Sequence, residues 1–588
     1  MRRKGLHIAF YLLLLLMGLP VLQMTFHLFK EKPLNGAFTL ADKPVLSKES
    51  WMNGSFQSGV EKYLKDHAGF RNFLVRLQNQ IDFTFFKEAH AEGVVIGKQR
   101  QLYEYDYIRA WLAEDYPGDS FVEKKLLRLK YVQEYLKKEK GIDLVLVFEP
   151  GKASYYPEFI PEKYTSKKHG LSTYELYKKK ADELGVDFID FNQYFLDLKQ
   201  ESAYPLFPRS GTHWSLYGMQ FAADSLLNFI EKRKGIQLTG VRADTLETSQ
   251  IPKDTDDDVL KTMNTLFGNR SETLAYPKFT FDTIHPGKKP MVLVVADSYY
   301  WNIFNSRIPK YVFANEAFWY FNSLVYPDYY YEPKYTKDLD FQKETEKQDL
   351  IFLMVTERFV HKFDWRFIDQ LYDLYTPDWL NDAVYDKINS VMAVETWYNE
   401  IIIKSQAKQI ALDKALLEEG KYLYYKSDTS GFLIDFGMEH FKRLIDQDSA
   451  WSAHVRQQAV KENTSYEKML LSNAEYVFQN EYPVLFEISR GMTRNREKLL
   501  SSPDLLAALK EEAAVNYWDT ERYLRKKSWD MFKEDELLRS RQAILGDPKW
   551  LNDVKAKANR NGISVDSMIL LDARYMFDKK YNSFNLEH

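Results

Sequence analysis

Cysteine is absent from the 588 residues of this sequence. Its absence excludes disulfide scaffolds, cysteine-ligated zinc or iron–sulfur sites, and thiol nucleophiles. An excess of positive charge is also missing, because 80 Lys and Arg residues stand against 84 Asp and Glu residues, for a net charge of −4. A nucleic-acid partner is therefore not expected. The length exceeds what one compact core supports and predicts roughly two to four units.

Motifs for bound cofactors are missing as well. The sequence has no P-loop, no dinucleotide-binding glycine fingerprint and no H-E-x-x-H zinc motif. We therefore expect neither a metal nor a nucleotide cofactor. Aromatic residues, in contrast, are abundant, at 15% of the chain. Either core packing or surfaces that stack on sugar rings would explain them.

Only one long apolar run is present, at residues 8–29. As a helix it would reach roughly 33 Å, enough to cross a bilayer. Three cations at residues 2–4 precede it and predict a cytoplasmic N-terminus. A cleaved signal peptide is the alternative, but no small-x-small site follows the run. We expect residues 1–30 to be an uncleaved transmembrane signal anchor, with the body on the periplasmic or cell-surface side of the membrane.

The next part of the chain predicts helices and then a mixed fold. Residues 31–92 predict a helical linker region, in which Phe70, Phe73, Leu74 and Leu77 are spaced for one helical face. From residue 93 to residue 379, short apolar strands alternate with helical stretches, which predicts a three-layer α/β sandwich with a parallel sheet. The predicted strands are Gly93–Gly97, Asp143–Phe148, Val186–Asp190, Met291–Val295 and Leu350–Val355.

Residues 380–588 lose the strand pattern and show a helical one. Trp397, Trp451 and Trp550 each begin a stretch in which apolar residues recur every four positions, followed by a turn and a second such series. Each stretch predicts a helical hairpin that buries its apolar face by stacking on its neighbours. We expect the repeated Trp residues to pack in the core, together with the tyrosines that close the units: Tyr422, Tyr476 and Tyr575.

Two short segments carry residues suited to nucleophilic chemistry. Ser298 follows a buried strand and Asp297, so its hydroxyl is expected at the carboxyl edge of the sheet, where α/β proteins collect their chemistry. His213 lies in a loop before a helix. It is the expected base, because a serine hydroxyl is a weak nucleophile until a base takes its proton.

The surroundings of these two residues resemble a known family. Gly211-Thr212-His213-Trp214-Ser215 is similar to the D-x-H-W segment of the AlgJ and AlgX type of alginate O-acetyltransferases, a branch of the SGNH hydrolase-like proteins. In that branch the histidine segment precedes the serine strand, a permuted order that this chain shares. Pro150-Gly151-Lys152 and Thr356-Glu357-Arg358 are further matching landmarks. The resemblance covers about residues 45–375 and implies an SGNH hydrolase-like sandwich.

The resemblance also implies a function, the O-acetylation of hydroxyls on an exported cell-surface polysaccharide. A multi-pass membrane O-acyltransferase partner is implied as the source of the acetyl group. Ser298 would become acylated, and His213 would be the base for the serine and then for the sugar hydroxyl. Backbone N–H groups of Ser298 and Tyr299 are candidates for the oxyanion hole. Trp214, Tyr299 and Trp301 are the candidate substrate-binding residues.

One position departs from the family. The family has an aspartate two residues before the histidine, and this chain has Gly211. Without an anchoring carboxylate a base loses roughly four powers of ten in rate. Either another acid replaces it, with Glu357 and Asp190 as the candidates, or a Ser-His dyad suffices. Two alternatives to a transferase stay open: a non-catalytic glycan-binding scaffold, and a carbohydrate esterase that uses the same residues.

Overall fold

The computed structural model describes residues 2–36, 39–268, 272–376, 382–515 and 517–581. Ten strands occur in these ranges. In chain order they are β1 Val94–Ile96, β2 Leu102–Glu104, β3 Asp143–Glu149, β4 Phe188–Asp190, β5 Val241–Ser249, β6 Leu274–Phe281, β7 Val292–Ala296, β8 Ala317–Tyr320, β9 Leu324–Tyr326 and β10 Leu350–Thr356.

A six-stranded sheet forms the centre of the α/β part. Its order is β4-β3-β10-β7-β8-β9, and every neighbouring pair is parallel except β8–β9. Four predicted strands are confirmed in this sheet, as β3, β4, β7 and β10. The fifth, Gly93–Gly97, is a strand but lies outside it, because β1 pairs only with β2 in an antiparallel hairpin. A second antiparallel pair, β5–β6, also stands apart.

Helices surround the sheet and continue to the end of the described chain. They are α1 Arg2–Phe26, α2 Lys48–Met52, α3 Ser55–His67, α4 Arg71–Ile81, α5 Tyr105–Trp111, α6 Asp119–Tyr135, α7 Lys152–Tyr155, α8 Glu162–Thr165, α9 Thr173–Leu184, α10 Phe191–Leu198, α11 Leu216–Lys234, α12 Asp258–Thr262, α13 Tyr300–Asn305, α14 Ile308–Val312, α15 Phe341–Glu346, α16 Phe367–Tyr375, α17 Ala383–Ala393, α18 Glu395–Lys408, α19 Leu412–Ser427, α20 Thr429–Gln447, α21 Ser449–Lys461, α22 Tyr466–Glu481, α23 Pro483–Ser501, α24 Pro503–Val515, α25 Thr520–Gly546, α26 Pro548–Asn561 and α27 Val565–Tyr581.

The two faces of the sheet are covered by different helices. Because side chains alternate along a strand, Val147 and Val294 point to one face with α10 and α11, and Leu146 and Val295 point to the other with α6, α9 and α16. The inner residues of β3, β7 and β10 are apolar because both faces of the sheet are buried. The predicted three-layer sandwich is confirmed.

Helices α17–α27 form an all-helical region, as predicted. The positions four residues after each repeated Trp, namely Ile401, Val455 and Val554, are buried. The closing tyrosines Tyr422, Tyr476 and Tyr575 are 54% to 71% exposed, so the prediction that they pack in the core is wrong. Their neighbours on the helices, not the tyrosines, supply the packed face.

Buried charges join the sandwich to the first of these helices. Lys125 on α6 is fully enclosed, pairs with Asp364 at 2.5 Å and donates to Asn389 on α17 at 3.1 Å. Arg128, also on α6, pairs with Asp386 on α17 at 3.2 Å. Phe121 of α6 also lies in one apolar cluster with Tyr385 and Val391 of α17, so α17 packs directly on the sandwich. The predicted boundary at 379/380 itself lies in residues 377–381, outside the described residues.

The N-terminal helix α1 covers most of the predicted anchor. No helix within the described ranges is long and apolar enough to cross a membrane. The transmembrane prediction for residues 1–30 is not confirmed.

Candidate active site

Ser298 lies in the turn between β7 and α13, at the carboxyl edge of the central sheet. Asp297, which is fully buried, holds this turn. Its carboxylate accepts from the N–H of Tyr299 at 3.0 Å, and from the N–H and hydroxyl of Thr356 at 2.9 and 2.8 Å. Because Thr356 ends the neighbouring strand β10, these bonds tie the serine turn to the centre of the sheet.

His213 contacts the serine directly. Its Nε2 lies 2.8 Å from Ser298 Oγ, and its side chain is 13% exposed. A second bond aligns the two segments, since the hydroxyl of Tyr299 donates to the carbonyl of Thr212 at 2.8 Å. The structure therefore brings together the two residues that the sequence singled out.

Asp258, at the start of α12, supplies a carboxylate to the histidine. Its Oδ2 lies 2.5 Å from His213 Nδ1, and its Oδ1 accepts from the backbone N–H of Thr212 at 2.9 Å and of Val259 at 2.6 Å. Burial raises the pKa of Asp258, but the bonds from His213 and from the two N–H groups outweigh it and hold the pKa below its usual value. An ionised carboxylate at Nδ1 fixes the tautomer in which Nε2 accepts the serine proton.

The acid candidates from the sequence lie elsewhere. Glu357 is fully buried, accepts from the hydroxyl of Ser154 at 2.7 Å, and has a pKa raised to about 8 by burial. Asp190 caps α10, accepts from the hydroxyl of Tyr174 and pairs with Lys178, both at 2.7 Å. Neither takes the position at His213 Nδ1, which Asp258 occupies.

Lys152, from the Pro-Gly-Lys landmark, clamps the loop that leads to His213. Its ammonium group is fully buried and donates to the carbonyls of Pro208 at 2.7 Å, Arg209 at 3.1 Å and Gly211 at 2.6 Å. All three of its protons are thereby used. Burial lowers the pKa of Lys152 to about 7.

The predicted substrate-binding aromatics are mostly enclosed. Trp214 is fully buried and stacks on Phe195, with ring centroids 5.8 Å apart, so it packs in the core and is closed to a sugar. Tyr299 is also fully buried. Trp301 is half-buried, with its ring against the edge of Tyr326 at 4.6 Å. Only Trp301 among the three retains exposed surface.

One oxyanion candidate is also already engaged. The N–H of Tyr299 donates to Asp297, as described above, which leaves the N–H of Ser298 as the candidate of the pair. Over the described part of the chain, no three or more His, Asp or Glu side chains are grouped to hold a metal ion.

A serine, a histidine and an aspartate joined in this order have the geometry of the triad found in serine hydrolases and acyltransferases on several folds. Residues 94–283 match the family described as "SGNH hydrolase-like domain, acetyltransferase AlgX". The predicted resemblance to the AlgJ and AlgX type of this family is confirmed for that segment. The match includes His213 and Asp258 and ends before Ser298.

The chain is similar to two curated proteins named "Probable alginate O-acetylase AlgJ". It is 28% identical over 202 residues to that of Azotobacter vinelandii, covering 34% of this chain and 48% of the relative. It is 21% identical over 182 residues to that of Pseudomonas putida, covering 31% and 45%. The chain thus spans about half the length of the curated relatives it matches.

Two solved structures align with parts of the chain. The O-acetyltransferase domain of Pseudomonas putida AlgJ aligns with a TM-score of 0.32 and 18% identity, over 48% of this chain and 99% of that chain. Pseudomonas aeruginosa AlgX aligns with a TM-score of 0.31 and 13% identity, over 48% of this chain and 66% of that chain.

Proposed function

We propose that this chain is an O-acetyltransferase that acetylates hydroxyl groups of a polysaccharide through an acyl-serine intermediate. The observation that supports the proposal best is the continuous chain of hydrogen bonds from Asp258 through His213 to Ser298, at 2.5 and 2.8 Å. The match of residues 94–283 to an acetyltransferase family supports the nature of the acyl group.

In the first half of the reaction, Ser298 Oγ attacks the carbonyl carbon of the acetyl donor while His213 Nε2 takes the hydroxyl proton. Asp258 stabilises the imidazolium that forms, and the backbone N–H of Ser298 is the candidate donor to the oxyanion. When the tetrahedral intermediate collapses, the bond to the donor breaks, and His213 gives its proton to the departing group. Ser298 is left acetylated.

In the second half, a sugar hydroxyl attacks the carbonyl of acetyl-Ser298. His213 takes the proton of this hydroxyl, and collapse of the second intermediate releases the acetylated sugar. The proton returns from His213 to Ser298 Oγ, so the triad is restored and no proton is gained or lost overall.

Asp258 weakens the case for a non-catalytic scaffold. That alternative was based on Gly211, which lacks the expected carboxylate, and Asp258 offers a carboxylate to the same nitrogen of His213. The esterase alternative uses the same three residues and differs only in the acceptor, which is then water.

The finer parts of the proposal are extensions of the family resemblance. The acetyl donor would be a multi-pass membrane O-acyltransferase, and the body would lie outside the cytoplasm beside the membrane. Trp301 is the proposed sugar contact, and α17–α27 would recruit a protein partner or the glycan.

The purified chain would be tested with a small acetyl ester and a serine-reactive probe, next to Ser298→Ala and His213→Ala. We expect probe labelling and ester turnover only in the wild type. Equal labelling of wild type and Ser298→Ala would rule out the acyl-serine mechanism. A polysaccharide acceptor then separates the activities: a transferase yields acetylated polymer, whereas an esterase yields only free acetate.

A further inference from the structure

Helix α4 and the π-helical turn after it, Asp82–Phe86, carry a stripe of large apolar side chains that nothing in the described chain covers. We call Phe73, Leu74, Leu77, Ile81 and Phe85 the outer stripe; they are 36% to 75% exposed. Their spacing of four residues places them on one face, the spacing by which an amphipathic helix usually faces a core. Here that face is turned outwards.

The opposite face of this segment is fixed to the sandwich. Phe83 is buried in a cluster with Val259, Leu260 and Met263, and the side-chain amide of Asn79 donates to the carbonyl of Met263 at 2.8 Å. The segment therefore cannot turn its outer stripe inwards without losing a packed interface. The outer stripe therefore lies on a segment whose position is fixed by its contacts with the sandwich.

Helix α1 ends against the start of α4. A Cβ on Gly69, just before α4, would come within 2.2 Å of the carbonyl oxygen of Pro20 in α1, so the two pack backbone to backbone. The rings of Phe29 and Phe70 lie 5.9 Å apart, and the N–H of Phe70 donates to Glu31 at 2.7 Å. These contacts join α1 and the outer stripe in one surface.

The exposed side chains of α1 indicate the kind of partner that this surface fits. Residues 10–17 are eight consecutive apolar side chains, each about half exposed or more, which span every side of the helix. A helix that is apolar all round is suited to hydrocarbon, since a docked protein covers only one side. Lys30, Glu31, Lys32 and Arg76 line a cavity of about 480 Å³ between the end of α1 and Phe73, so charged side chains of both signs border the apolar surface there.

We propose that the outer stripe rests on a lipid bilayer, with its side chains at the boundary between headgroups and acyl chains and α1 beside it. Residues 28–92 carry nearly balanced positive and negative charge, so apolar burial and not charge drives the contact. Binding is therefore expected to depend little on salt. Phe83 and Asn79 connect the same segment to α12, which carries Asp258.

The test uses the absence of cysteine, because one introduced thiol gives one label in the full chain. An environment-sensitive dye is placed on Leu77→Cys or Phe85→Cys, with Val460→Cys, an exposed apolar position on α21, as the matched control. On phosphatidylcholine vesicles with brominated acyl chains, we expect quenching at 77 and 85 and none at 460. No quenching at either stripe position overturns the proposal, even if α1 holds the chain on the vesicles.

A second measurement separates the stripe from α1. The double variant Leu77→Asp/Phe85→Asp keeps α1, and we expect its partition to vesicles to weaken by about tenfold or more, at both low and high salt. Val460→Asp should bind like the wild type. Turnover of a small acetyl ester in detergent reports that the variant is folded. Full binding of the double variant to vesicles contradicts a lipid contact. So does a change in the dye signal at positions 77 and 85 that occurs only when a membrane protein is added to the vesicles.

Discussion

Gly211 lies against the backbone of Asp256, so closely that a Cβ on the glycine would come within 2.9 Å of the Asp256 carbonyl oxygen. The segment that places Asp258 beside His213 therefore occupies the space that an aspartate side chain at position 211 needs. The absence of a side chain at position 211 and the position of Asp258 are therefore sterically linked. Gly211 is the condition under which Asp258 can reach the histidine.

An aspartate placed at position 211, as in the family, should therefore be unable to replace Asp258. We expect Gly211→Asp to lower the unfolding midpoint and not to rescue activity when combined with Asp258→Asn, because the new side chain displaces residues 255–256. Thermal unfolding and ester turnover check this, with Gly268→Asp as the control, since a Cβ there meets nothing within 4 Å. Recovery of turnover in Gly211→Asp/Asp258→Asn would show that a carboxylate at position 211 can still bond to His213.

Asp258→Asn should lower kcat by about 10³-fold to 10⁴-fold, because the amide no longer holds the tautomer that activates Ser298. Glu357→Gln and Asp190→Asn should each change kcat by less than about tenfold, since both groups bond elsewhere. Steady-state kinetics on one ester compares the three. A large loss in Glu357→Gln with none in Asp258→Asn would restore the original acid candidate.

Lys152→Met should destabilise the chain and impair catalysis together. The variant leaves the carbonyls of Pro208, Arg209 and Gly211 without their donor, at a cost of roughly 3 kcal/mol or more in the free energy of unfolding. Denaturant titration measures this, and kcat should fall because the His213 loop is no longer held. Lys163→Met, at an exposed lysine, is the control and should match the wild type in both measurements.

Glu357 should make stability depend on pH. Burial raises its pKa from 4.5 to about 8, so between these values the folded chain keeps a proton that the unfolded chain releases. Its contribution to stability is therefore complete below pH 4.5 and declines as the pH rises towards 8. The difference in unfolding midpoint between Glu357→Gln and the wild type should therefore shift in favour of the variant as the pH is raised from about 5 to about 8.5. Parallel curves would mean that Glu357 is ionised throughout.

Truncation should show that the sandwich needs the first helices of the C-terminal region. A chain that ends at residue 379 keeps the pairs of Lys125 and Arg128 with Asp364 and Asp369 but removes Asn389 and Asp386 and uncovers the apolar cluster around Phe121. We expect it to be insoluble or unfolded. A chain that ends at Ser427, after α19, keeps these partners and should fold. Expression, circular dichroism and unfolding cooperativity distinguish the two. A stable chain ending at 379 would place the boundary where the sequence predicted it.

Much of the fold and part of the site could be predicted from the sequence. Strands β3, β7 and β10 are continuous apolar runs, and Ser298 and His213 stand beside recognisable motifs. Asp258 could not be found in this way. It lies 45 positions from His213 in an acidic stretch, and only packing of that stretch against Gly211 brings the two together. The signal was the glycine itself, which marks where another segment must approach.

Burial was the other property that the sequence did not determine. Trp214 and Trp301 looked equivalent beside the two motifs, yet Trp214 is enclosed and Trp301 is half-buried. The apolar spacing of Phe73, Leu74 and Leu77 predicted a helical face correctly but not its direction, because periodicity reports that a face exists and not what covers it.

The location of Asp258 on α12 determines which parts of the chain hold the acid and the base. In a D-x-H segment the acid and the base share one stretch of backbone and move together. Here Asp258 sits on a five-residue helix that is held from behind by Phe83 and Asn79, and His213 sits on a loop held by Lys152. The acid and the base are therefore positioned by separate parts of the chain, which meet where Asp258 bonds to Thr212 and His213. A substitution behind α12 or beneath the histidine loop is expected to change the distance between carboxylate and imidazole without moving the serine.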